Sequence, residues 1–196
     1  MAKRKRNTPE FRPDRKPLNL PKIFFLTQVQ RARLAKWGLY ILTMILTLTV
    51  QDVILGRTRL LGATTDLPAM LILLITVMEG VDVGSLFVLI SSVLYYCSGT
   101  ASSPYCVILL SAIGIAASLL RQAWLRRSKA SIVFSAGVGL MLYELALFVV
   151  GLAQGLTHFS RLIAFVLTGL YSWALMLPMY DLINKIGQIG GNTWKE

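Results

Sequence analysis

The stretch Thr65–Ser103 reads T-D-L-P-A-M-L-I-L-L-I-T-V-M-E-G-V-D-V-G-S-L-F-V-L-I-S-S-V-L-Y-Y-C-S-G-T-A-S-S. A long apolar run opens at Asp66-Leu67-Pro68, breaks at the acidic turn Glu79-Gly80-Val81-Asp82, resumes, and stops at Ser98-Gly99. Pro68 near the start of this run either introduces a kink or marks the helix start at Asp66. Two membrane helices joined by a tight turn fit this pattern best.

Working outward, four further apolar runs flank the pair. Trp37–Gly56 precedes it, and Tyr105–Leu120, Ala130–Ala153 and about 162–183 follow. The pair itself divides into Leu60–Met78 and Val83–Cys97. Runs of about 18 or more apolar residues match the thickness of a bilayer. The third run has only 15 residues, so it either crosses against protein or is a re-entrant segment. Composition agrees: the chain is 55% hydrophobic and 15% charged, with mean hydropathy +0.64, where soluble domains carry about 25% charge. The expected fold is all-α, a polytopic membrane protein built as a bundle of six transmembrane helices. Its parts are a basic tail over residues 1–36, a membrane domain over 37–185 and a short tail over 186–196.

The net charge of +11 comes from 20 Lys and Arg against 9 Asp and Glu. Eleven of the basic residues precede Trp37 and four lie between Arg121 and Lys129. That clustering is the signature of cytoplasmic loops in a membrane protein, and it argues against nucleic acid binding. With six crossings both termini fall on one side, the cytoplasmic one. Prolines at 9, 13, 17 and 21 exclude a helix in the tail. The tail serves as a topology signal, and attraction to anionic lipid is compatible with that.

Within the spans, Trp37 and Tyr40 suit a membrane interface. Thr43, Thr47 and Gln51 share a face expected to meet other helices. Ala112, Ala116, Gly114 and Ser118 are small residues that allow close helix approach. Glu144 lies inside the fifth span, where an ionisable group is costly and marks a functional hypothesis. Two alternatives stand beside that: a neutral glutamate bonded to a Thr or Tyr within the bundle, and helix pairing through the face it shares with Gly137, Met141, Phe148 and Gly151. Cys97 and Cys106 bracket a small loop, and both a disulfide and two free thiols are open. No nucleophile elbow, phosphate loop, dinucleotide fingerprint or metal-ligand cluster occurs, so no enzyme, cofactor or metal is expected.

These residues resemble the rod shape-determining protein MreD family of bacterial cell-elongation membrane proteins. Three features carry the likeness across about residues 37–187: Asp66-Leu67-Pro68 opening a Leu/Ile-rich span; Gly84 and a short apolar helix ending in Ser98-Gly99; and a last helix with Trp173, Pro178 and Tyr180 ending at Lys185. The family typically carries an acidic residue where Tyr95 stands here.

The resemblance implies a non-enzymatic scaffold in the cytoplasmic membrane. It would support rod shape and peptidoglycan synthesis by docking an MreC-like membrane protein within a wider complex with MreB and the elongation synthases. Asp66, Pro68, Gly84, Ser98, Gly99, Glu144, Trp173 and Pro178 are the candidate packing or partner residues. The alternative is a small-molecule binding or transport subunit, resembling the substrate-capture component of an energy-coupling-factor transporter. Such components dock through small residues spaced by four on the first helix. Here that helix offers Gly38 before Leu42 and Thr43 before Thr47. A pocket lined with polar groups is the feature this alternative requires.

Overall fold

The computed structural model describes residues 28–55, 63–101, 103–124 and 128–189. Over these residues it is all-helical. The helices are α1 (Gln28–Val50), α2 (Leu67–Glu79), α3 (Val81–Cys97), α4 (Cys106–Trp124), α5 (Lys129–Ala153) and α6 (Leu162–Gly187). A π-helical turn, Gln51–Leu55, extends α1, and a 3-10 turn, Phe159–Arg161, leads into α6. Four helices are long and apolar enough to cross a membrane: α1, α4, α5 and α6. α2 and α3 are shorter, at 13 and 17 residues.

Chain direction alternates from helix to helix, which gives the bundle two ends. The end holding Lys36, Glu79 and Lys129 is called the near end, and the end holding Gln51, Asp66 and Arg161 the far end.

α2 is the axis. It touches all five other helices, and every residue from Ala69 to Val77 is fully buried. Its composition explains this position, because Leu-Pro-Ala-Met-Leu-Ile-Leu-Leu-Ile offers no polar face to turn outward. Lipid tails are as apolar as leucine, so close packing and capping hold α2 here rather than escape from water.

Packing around α2 depends on small residues. A Cβ built on Gly84 of α3 would lie 2.5 Å from the Thr76 carbonyl oxygen, so α3 rests on α2 backbone to backbone. Gly114 of α4 faces Val88, Leu73 and Thr76, and Ser118 beside it in the sequence pattern is fully buried. Ala112 and Ala116 are exposed, so of the two small pairs expected on this helix only Gly114 and Ser118 face protein. On α5, Gly137 receives the Trp173 indole of α6, and Met141 lies against Gly169. α2 and α3 are joined by Gly80 alone, at φ 86°, a conformation that favours glycine.

Several boundaries depart from expectation. The second run starts at Leu67 with Asp66 as its cap, so the Asp66 start holds and the Leu60 start does not. Residues 56–62 lie outside the described residues, as do residues 1–27 of the expected basic tail, whereas its remainder, residues 28–36, is helical and opens α1. Cys97 and Cys106 are both free thiols, the first exposed and the second buried. Tyr40 is not interfacial: it is fully buried, because its ring packs on Trp37 and Phe87 while its hydroxyl donates to Glu79 Oε1 at 2.7 Å.

Candidate functional site

A helix of 13 residues is about 20 Å long, roughly half the length of α5. The neighbours of α2 therefore overhang it, and each of its ends must find polar partners inside the bundle.

At the near end, Glu79 supplies the closure. Lys36 Nζ of α1 lies 2.6 and 2.8 Å from its two carboxylate oxygens, and Tyr40 shares one of them. The lysine and glutamate side chains are only 9% and 7% exposed, so this is an enclosed ion pair. It ties α1 to the end of α2. A second ion pair at the near end, Lys129 to Asp181 at 2.5 Å, joins α5 to α6 but lies more than half exposed.

At the far end, Asp66 organises the start of α2. Its Oδ1 accepts the Ala69 amide at 3.0 Å as a helix cap, and its Oδ2 accepts the Tyr95 hydroxyl of α3 at 2.9 Å. The Asp66 amide donates to Ser172 Oγ of α6 at 2.8 Å, and that serine donates on to the Thr168 carbonyl. Gln51, in the π turn after α1, grips the same segment. Its amide nitrogen donates to the Thr65 carbonyl at 2.6 Å, and its oxygen accepts the Leu67 amide at 3.2 Å. Three surrounding helices thus converge on one helix start.

Beyond Asp66, where α2 no longer fills the bundle, lies a cavity of about 700 Å³. Asp66, Tyr95 and Gln51 form part of its wall, with Glu144 of α5, Thr168 of α6 and Arg161 of the 3-10 turn. Glu144 is 4% exposed, yet its side chain makes no hydrogen bond or ion pair with any other residue of the described bundle. The Thr or Tyr bond that would have made it a plain structural glutamate is absent among the described residues. Arg161 and His158 are both exposed, and Arg161 contributes to the wall.

Of the candidate residues, the cavity brings together Asp66 and Glu144. Pro68 lies buried in the first turn of α2. Gly84 is the α3–α2 contact already described. Ser98 caps α3 and its hydroxyl donates to the Tyr95 carbonyl at 2.7 Å, while Gly99 turns the chain at φ 75°. Trp173 packs against Gly137 and Phe134, and Pro178 is exposed within α6. Sequence reasoning missed Lys36, Glu79, Tyr95 and Ser172. Gln51 alone had a signal, as the last member of the polar stripe on α1.

No family model, no curated protein and no solved structure matches the chain.

Proposed function

We propose that the chain is a non-enzymatic membrane scaffold of the MreD type. All six helices cross the bacterial cytoplasmic membrane, with both termini cytoplasmic, and the bundle docks an MreC-like membrane protein. The observation that supports this reading is where the family-like residues fall. Asp66 caps the helix on which the bundle is built, and Gly84 is where α3 lies against its backbone. Asp66 and Gly84 are therefore used by the fold, while Ser98, Gly99 and Pro178 of the same set are exposed. Docking would proceed by helix packing in the membrane, with α1 and α6 offering the largest faces, since only 17% of each apolar window is buried within the chain. The test is affinity capture of the full chain in mild detergent. An MreC-like protein should co-purify. Its absence, under conditions that keep other membrane complexes together, would remove the reading.

A second reading is favoured by one observation, the cavity at the far end. Its 700 Å³ falls within the range of small-molecule sites, and its wall is largely polar. On that reading the chain is a small-molecule binding subunit. The purified protein should then carry a bound metabolite, released on denaturation and seen by mass spectrometry.

A further inference from the structure

The described wall of the far-end cavity carries two carboxylates, Asp66 and Glu144. Glu144 presents a carboxylate that no described residue satisfies. Two hydroxyls of the wall have committed their protons elsewhere, while Thr65 Oγ1 of the same wall has no partner among the described residues. Tyr95 donates to Asp66, and Thr168 donates to the Ala164 carbonyl at 2.9 Å. What these two oxygens still offer is lone pairs. The Gln51 amide is held by backbone on both its atoms. Against two carboxylates, the described wall supplies one guanidinium, Arg161, and that residue is exposed.

A carboxylate withdrawn from bulk water with no donor is costly, and an occupant that brings donors and positive charge removes the cost. An ammonium group carries three donors and no acceptor, which complements Glu144 together with the Thr168 and Tyr95 oxygens. A bare metal ion fits less well. Both oxygens of Asp66 are already engaged, and hard cations need six or more oxygens closing tightly around them. The volume suits an organic molecule.

We propose that this cavity binds a small organic amine, with its ammonium group on the Glu144 carboxylate. The proposal rests on the small-molecule reading above and is independent of whether the chain also docks a partner. A ligand with an added carboxylate would gain from Arg161, and a plain diamine would not.

The test is equilibrium binding of radiolabelled putrescine and lysine to the full chain in detergent, with butane-1,4-diol as the uncharged counterpart of putrescine. At least one amine should bind saturably, and the diol should not. Glu144→Gln should weaken binding by about tenfold or more while retaining the parent's elution profile and Tm within a few degrees. Thr168→Val should weaken it about fivefold, which provides a second probe if Glu144→Gln does not fold. Lys129→Ala, outside the cavity, should leave binding unchanged. Lack of saturable binding by either amine overturns the proposal, and so does parent-like binding by folded Glu144→Gln. The two readings separate by mass spectrometry of the denatured protein. A stoichiometric metabolite without an amine removes the ammonium assignment and leaves the binding subunit standing. Neither metabolite nor amine binding removes both.

Discussion

The Tyr95 hydroxyl of α3 donates to Asp66 Oδ2 at 2.9 Å, at the point where α2 begins and the cavity opens. A carboxylate at position 95 would set two acidic groups facing each other. The tyrosine makes a hydrogen bond there instead. Tyr95→Phe should therefore cost about 1–3 kcal/mol, because Asp66 loses a donor in an enclosed site. Asp66→Ala should cost more than Tyr95→Phe, since it removes the cap on Ala69 and strands the tyrosine hydroxyl. Asp66→Asn should fall between parent and Asp66→Ala. Thermal unfolding in one detergent, followed by size-exclusion fluorescence, measures the order.

Gly84→Ala should destabilise the bundle by about 1–3 kcal/mol, because a methyl group there meets the Thr76 carbonyl and the helices must separate. Gly38→Ala is the control, since nothing lies within 4 Å of a Cβ at that position. Equal melting temperatures for the two variants would contradict the backbone contact between α2 and α3.

Lys36→Ala should be costly, on the order of 3–5 kcal/mol, because it leaves Glu79 enclosed with only the Tyr40 hydroxyl for company. Lys36→Met together with Glu79→Met should recover much of that loss, since the pair leaves as a unit. By contrast, Lys129→Ala should change stability by less than about 1 kcal/mol, because its ion pair with Asp181 is open to the surroundings. Denaturation midpoints of these variants decide the point.

A membrane-impermeant maleimide should label Cys97, exposed at the far end, and spare Cys106, which is buried. With both termini cytoplasmic, labelling should occur from outside intact cells. Labelling only after lysis would invert the proposed orientation.

The six apolar helices were legible because the apolar runs and their breaks are long and local. Lys129–Ala153 was expected from Ala130, and Leu162 was the expected start of α6. The central place of α2 was not legible. Its run reads like any lipid-facing span, and only the distant Gly84 and Gly114, which let α3 and α4 close in, reveal that it is buried within the bundle. The site was half legible for the same reason. Asp66 and Glu144 stand out as carboxylates in oily surroundings. Tyr95, Ser172 and Lys36 act through partners 29, 106 and 43 residues away, and no local pattern encodes such pairings.

The shortness of α2 carries a consequence for biogenesis. A rod of 13 residues, about 20 Å, cannot bridge a hydrocarbon layer about 30 Å thick by itself. Nor can it wait there alone, with Asp66 and Glu79 at its tips. Lys36 and Gln51 precede α2 in the chain, but Tyr95 and Ser172 follow it. Insertion of this chain should therefore be a joint act of several segments. In a released chain truncated after Glu79, α1 should still anchor the chain while residues 67–79 stay open to protease, and extending the chain through α4 should protect them.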